Sequence, residues 1–262
     1  MAKEIEKVNS IAFADIEKIN GKTDANIENL NGFEFSAPSF GPPEFDAVSV
    51  NNASSGASTQ TSSHAIGGSG VGRGLVVIIA QLNSGSAPAD PTGVTYDGVA
   101  MTKQASKKDY ERLRLTLWTL IAPATGTNNI VASFAATTDG PSAVRGISFT
   151  GLNQTSMWNL QNSGEYNLGS ETSIGPVGID TVAGQFAISA IAIAADGAAS
   201  APSSLVVHSG ATSGSTLIGA TANLYAGAYI EASGTTTDLG WSWSGGGNYA
   251  AIFGRVLSDV YS

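Results

Sequence analysis

The side chains able to do chemistry are few and scattered. The chain holds two histidines, His64 and His208, far apart and without an HxxxH or a His-carboxylate spacing. They could serve a metal or a Ser-His-Asp triad only if folding united them, and surface or hairpin-end positions are the expectation. Gly68-Ser69-Gly70-Val71-Gly72-Arg73-Gly74 has the glycine density of a phosphate loop. It precedes an apolar run instead of following one, and it lacks the Gly-Lys-Ser/Thr ending, so it reads as a strand lead-in. Asp109 and Glu111 are an i, i+2 carboxylate pair of the kind a glycosidase uses. They are interleaved with Lys103, Lys107, Lys108, Arg112 and Arg114 and are expected to neutralise that basic cluster; binding of an acidic neighbour by the cluster is the rival reading. No catalytic, cofactor-binding or metal-ligating residue is therefore expected.

Aromatic residues offer binding chemistry. Trp241 and Trp243 sit two apart, on one face of a strand with Leu239, and Tyr249 lies across the Gly245–Gly247 turn. Core packing is the default. The functional reading is an aromatic platform for the sugar rings of a host-surface glycan. Arg112 to Leu117 alternates, with Leu113, Leu115 and Leu117 on one face. Trp118 falls on the opposite face with Arg112 and Arg114, which makes it a candidate contact between subunits; a bend that returns it to the core is the rival reading. Trp158, in the 151–160 stretch, supports no choice.

The elements that must position these groups are shaped by composition. Of 262 residues 42% are hydrophobic, enough for a sizeable core, but only 13% are charged, about half the usual share of about 25%. Ser, Thr, Asn, Gly and Ala must therefore cover the exterior. The net charge is −9, with 4 basic and 9 acidic side chains in residues 1–46 and 8 and 12 in the rest. That balance disfavours nucleic-acid binding, which needs cations to displace phosphate counterions. The absence of Cys excludes disulfides and thiolate metal sites. The first residues contain no apolar h-region, so no signal peptide is expected, and the run Leu75–Leu82 is far short of the roughly 20 residues a membrane helix needs, so no membrane insertion is expected.

Three stretches follow. Residues 1–35 repeat every 11: Ile5-Glu6-Lys7-Val8-Asn9-Ser10, Ile16-Glu17-Lys18-Ile19-Asn20-Gly21 and Ile27-Glu28-Asn29-Leu30-Asn31-Gly32. The i, i+3 pairs Ile5/Val8, Ile16/Ile19 and Ile27/Leu30 fit single helical turns, capped by Asp15 and Asn26 before and by Gly21 and Gly32 after. The Asn-Gly pairs also fit type I′ hairpin turns. The paired caps favour the helical turns. Neither unit is stable alone, so these six aliphatic residues are docking candidates. Residues 36–46 form a Pro-rich extended connector. Residues 47–262 read as short strands, among them Leu75–Ala80, the Asp97-Gly98 hairpin of Val94–Met101, Arg112–Leu117, 129–135, 143–150, 185–193, 205–208, 222–231, 239–244 and 249–256. Without a sustained 3.6-residue period, this predicts an all-β antiparallel sandwich or jelly roll.

The leader resembles the short I-x-K-[IV]-N-G repeats near the N-termini of tailed-bacteriophage structural proteins. It departs from them at Ser10, Asn29 and Leu30. The body is similar to phage and environmental β-sandwich proteins over Val94–Thr102, Leu117-Trp118-Thr119-Leu120, Pro123–Thr127 and Ser148–Thr155. The resemblance covers roughly residues 1–35 and 70–155. It implies a virion location after assembly in the host cytoplasm, with other virion proteins as partners, and it transfers no catalytic residue. The expectation is a non-enzymatic fibre, spike or decoration subunit, homo-oligomeric and with a trimer favoured. A glycan-binding adsorption module is the alternative, and a depolymerase would require an acid/base pair that the residues do not supply.

Overall fold

A computed structural model describes six two-residue strands within the first 34 residues, then residues 41–53, 57–68, 70–83, 87–108, 112–135, 140–166, 172–195, 205–207, 212–217, 224–243 and 247–258. The chain forms two compact units, Met1–Ser39 and Phe40–Ser262.

In the first unit β1 (Lys7–Val8) pairs with β2 (Ile11–Ala12), β3 (Lys18–Ile19) with β4 (Lys22–Thr23), and β5 (Asn29–Leu30) with β6 (Phe33–Glu34), all antiparallel. The innermost partners are Val8 and Ile11, Ile19 and Lys22, and Leu30 and Phe33. Two residues separate them in each copy, the spacing of a two-residue hairpin. The hairpin reading of the repeat therefore holds, and the preferred helical one is corrected: Lys18–Ile19, assigned there to a helical turn, is strand. The physical reason lies in the nucleus. One helical turn orders three residues for a single hydrogen bond, whereas Asn-Gly suits a tight hairpin without that outlay. Ile5, Ile16 and Ile27 lie outside the described residues, as do the side chains of Val8, Ile19 and Leu30.

The second unit is all-β and antiparallel throughout, as expected. Its first half runs β7 (Glu44–Ala53), β8 (Thr59–Ile66), β9 (Gly74–Leu82), β10 (Gly93–Tyr96), β11 (Val99–Ala100), β12 (Thr102–Lys108), β13 (Leu113–Ile121), β14 (Gly126–Ser133) and β15 (Ser142–Thr150). Its second half runs β16 (Trp158–Tyr166), β17 (Ser173–Asp180), β18 (Phe186–Ala195), β19 (Leu205–Val207), β20 (Thr212–Leu217), β21 (Leu224–Glu231), β22 (Thr236–Trp243) and β23 (Gly247–Val256). The first half makes a five-stranded sheet, β12-β13-β9-β15-β7, and a second sheet, β11-β10-β14-β8. The second half repeats that order as β20-β21-β18-β23-β16 and β19-β22-β17. The stretch read as one sandwich is thus two sandwiches of the same topology.

Three cores separate four layers. Leu75, Val77, Ile79, Tyr96, Trp118 and Ile130 fill the first sandwich, and Ile179, Ile191, Leu239, Trp241 and Phe253 the second. Between the sandwiches the two five-stranded sheets meet face to face, with Ile78, Leu115, Leu117 and Ile147 against Ile188, Ala190, Ala192 and Ile252. A sheet covered on both faces must be apolar on both, and all nine residues of β9 are buried. Here β12 lies against β16, and β9 against its own counterpart β18. The β12 edge of one sheet therefore lies on the β16 edge of the other, β16 being the counterpart of β7 and not of β12, as in two like subunits about a two-fold axis. At one end of this interface Phe45 stacks on Tyr229 with ring centroids 4.6 Å apart.

Candidate functional site

In the described body, the densest cluster of chemistry-bearing side chains closes one side of the first sandwich, where edge strands β7 and β8 meet. β8 alternates, with Gln60, Ser62, His64 and Ile66 turned inward. Three of those four are polar and demand partners. His64 Nδ1 lies 2.8 Å from Ser49 Oγ, and Nε2 lies 3.1 Å from Ser148 Oγ. Ser148 Oγ donates to Asp46 Oδ2 at 2.7 Å, and Asp46 also accepts from the Gly67 amide at 3.1 Å. Further along the seam Gln60 Nε2 donates to the Asn51 carbonyl at 3.0 Å and Gln60 Oε1 accepts from Ser142 Oγ at 2.5 Å. The imidazole fits because β15 carries Gly146 opposite it: a Cβ there would stand 3.0 Å from His64 Nδ1 and 2.7 Å from Ile130 Cδ1.

The protons in this chain of contacts can be placed. A carboxylate only accepts, so the single Ser148 hydroxyl proton points to Asp46. Ser148 Oγ must then accept from His64 Nε2–H. That leaves Nδ1 of a neutral ring to accept from Ser49. Burial pushes the His64 imidazole down from 6.5 to about 4, and the Asp46 charge pulls it only partly back. The residue types are those of a hydrolase relay with a serine inserted between imidazole and carboxylate. A ring held near 4 is a weak general base at neutral pH, and Ser148 is fully enclosed. The arrangement suits a polar clamp between two edge strands. His64 is not at the surface or at a hairpin end, as expected from the sequence, but in mid-strand and 1% exposed; no local spacing signals this, because its partners lie 15 and 84 residues away. His208 lies outside the described residues.

The basic cluster finds an acid that sequence reading missed. Asp90 receives Lys103 Nζ at 2.6 Å and Arg114 Nη1 at 3.2 Å. Ser106 Oγ donates to the same carboxylate at 2.6 Å, and Arg114 Nε donates to the Pro88 carbonyl at 2.8 Å. Burial works against the ionised Asp90, but the bonds from Lys103 and Ser106 and the Arg114 charge outweigh it and hold the carboxyl below its ordinary value. Asp109 and Glu111 lie outside the described residues. Of the glycine-rich stretch, residues 70–73 lead into β9 as expected, and the Val71 and Gly72 carbonyls accept from the Gly151 and Leu152 amides.

The inter-subunit expectation for Trp118 is corrected, and the default expectation of core packing for Trp241 and Trp243 holds. Trp118 is 7% exposed and packs in the core of the first sandwich. The face it shares with Arg114 is not an outer face, because a second sheet covers it. Trp241 and Trp243 are buried in the core of the second sandwich, with only Tyr249 partly open beside Trp243 at 5.6 Å. Neither indole face is free to stack on a sugar ring. Trp158 opens β16 and lies against Gly254, where a Cβ would come 2.4 Å from its ring. A groove of about 320 Å³ is lined by the hydroxyls of Thr102, Thr119, Thr155 and Ser156, the Gln104 amide and the apolar Leu120, Ile121 and Met157. Comparison of the chain with protein-family models, curated proteins and solved structures returns no match.

Proposed function

We propose that this chain is a non-enzymatic structural subunit of a tailed-phage particle, a fibre, spike or decoration protein. It docks to other virion proteins through residues 1–35 and displays the two-sandwich body. The observation that carries the reading is the leader's geometry: three hairpins at an 11-residue interval, within a compact unit separate from the body. A hairpin with two-residue strands is not stable by itself, so such a segment gains from lying on a partner. Three equally spaced copies convert weak contacts into avidity, since each bound copy raises the effective concentration of the next. The charge of the leader favours a basic docking surface. The closed His64 relay and the enclosed indoles support display over turnover.

The test is deletion of residues 1–35. The truncated protein is expected to keep the wild-type unfolding transition and to be absent from assembled particles. Particles carrying the truncated protein at wild-type occupancy would overturn the docking reading.

A further inference from the structure

The edges of the described sheets differ in how they discourage pairing with another strand. An edge strand presents unpaired N–H and C=O groups, and proteins blunt it with lysines, prolines, bulges or shortness. β12 carries Lys103, Lys107 and Lys108. β17 contains Gly175-Pro176 and a break in register, and β11 and β19 are two and three residues long. β8 turns Thr59, Thr61, Ser63 and Ala65 outward. β7 is ten residues long, Glu-Phe-Asp-Ala-Val-Ser-Val-Asn-Asn-Ala, without Lys, Arg, Pro or Gly; its one break in register falls at Asp46, and Ala47–Ala53 pair regularly with β15. Val48 and Val50 are each 44% exposed, on the face that carries Ile147 and Phe149 toward the other sandwich. Its opposite face is tied down through Ser49 to His64 and through Asn51 Nδ2 to the Thr61 carbonyl. From Ala47 onward the edge is therefore regular and tied down, with an apolar row beside it.

We propose that β7 is a self-pairing edge: two copies of this chain join antiparallel along β7, about a two-fold axis centred on Ser49, into one continuous ten-stranded sheet. The sequence of the strand is self-complementary in that register. Val48 of each copy faces Val50 of the other, giving four valines on one face, and Ala47 faces Asn51. Both acidic residues of the strand, Glu44 and Asp46, precede the centre. Antiparallel pairing sends them to opposite ends, with the two Asp46 carboxylates about 20 Å apart at 3.3 Å per residue, beyond the reach of screened repulsion. A two-fold contact closes at two chains, in contrast to the trimer expected from the sequence. It uses no residue of the leader, so it stands or falls separately from docking.

The experiment is the solution mass of the full chain, with two variants. The wild type is expected to sediment as two chains at micromolar concentration. The variant with Val48→Lys and Val50→Lys is expected to sediment as one chain with an unchanged unfolding midpoint, because both side chains lie outside the cores. The register is read by cysteines, which the chain otherwise lacks. Oxidising a mixture of Val48→Cys and Val50→Cys chains is expected to give the mixed disulfide in several-fold excess over either like pair, since only the mixed pair lies directly cross-strand. A wild type of one or three chains overturns the proposal. So does a dimer that survives the two lysines, or like pairs as abundant as the mixed one.

Discussion

In the first sandwich three of the four inward residues of β8 are polar, Gln60, Ser62 and His64 beside Ile66; in the second, the matching row of β17 holds Val177 and Ile179. The match follows from register. Ile130 opens the inward row of β14 and faces Ser62, with Asn128 facing His64; Leu239 opens that of β22 and faces Val177, with Thr237 facing Ile179. Counting on, Ala132 and Phe134 correspond to Trp241 and Trp243, and all four are buried. One topology thus closes the same gap in two ways. The first half uses a small residue on β14 and a hydrogen-bonded seam, the second large indoles and aliphatic neighbours. Each way leaves groups without a hydrogen-bond partner among the described residues, the Ser62 hydroxyl in one and the Trp241 and Trp243 indole nitrogens in the other. Strand order is therefore compatible with either chemistry between the sheets, provided the volume is filled and most polar groups are met.

The largest effect should come from the indole side. Trp241→Ala is expected to cost about 3–5 kcal/mol, transfer plus cavity, read as a shift in the denaturant midpoint; a loss below about 1 kcal/mol would mean the second core does not rest on that ring. On the polar side the signature is pH. The His64 ring titrates near 6.5 when unfolded and at about 4 when folded. Between those values the unfolded chain binds the extra proton, so stability is full above pH 6.5, falls as pH drops, and has lost about 3 kcal/mol at pH 4. The difference in stability between wild type and His64→Gln should carry that slope; a constant difference from pH 7 to 4 would refute it.

A conversion sharpens the contrast. His64→Ala alone leaves Ser49 and Ser148 facing a gap and should cost about 2 kcal/mol. His64→Ile with Ser49→Ala copies the apolar solution while Ser148 keeps its bond to Asp46, and should fall within about 1 kcal/mol of wild type, because removing both sides of a buried bond costs less than removing one. A double variant worse than the single one would show that the seam is required for more than filling space. The smallest effect belongs to the outer ion cluster. With the Lys103 side chain 42% exposed, Asp90→Asn should cost less than about 1 kcal/mol in thermal unfolding.

The strands legible in the sequence are chiefly the interior ones. Leu75–Ala80, Arg112–Leu117 and the 185–193 run lie inside sheets, where burial on one or both faces writes an apolar pattern into the chain. The Asp97-Gly98 turn was legible too, and both residues take positive φ, 50° and 77°. The strands not foreseen, β7, β8, β12, β16, β17 and β20, all lie at sheet edges. The described rows of β8, β12 and β17 are polar or half covered, so alternation carries little signal. The duplication was hidden for a related reason: pairing conserves which face a residue takes, not its identity, and Ala132 against Trp241 leaves no visible repeat.

The residues alone determined the all-β antiparallel class, the 11-residue period of the leader, the Asp97-Gly98 hairpin turn, and the apolar faces of the central strands. These are local properties, set by backbone preference and side-chain period. Tertiary structure alone decided that Trp118 is enclosed, that Asp90 meets Lys103 and Arg114 of the basic cluster, and that His64 meets Ser49 and Ser148, which in turn bonds Asp46. Whether the second face of a strand meets water or another sheet depends on how layers stack, and stacking joins residues from distant parts of the chain.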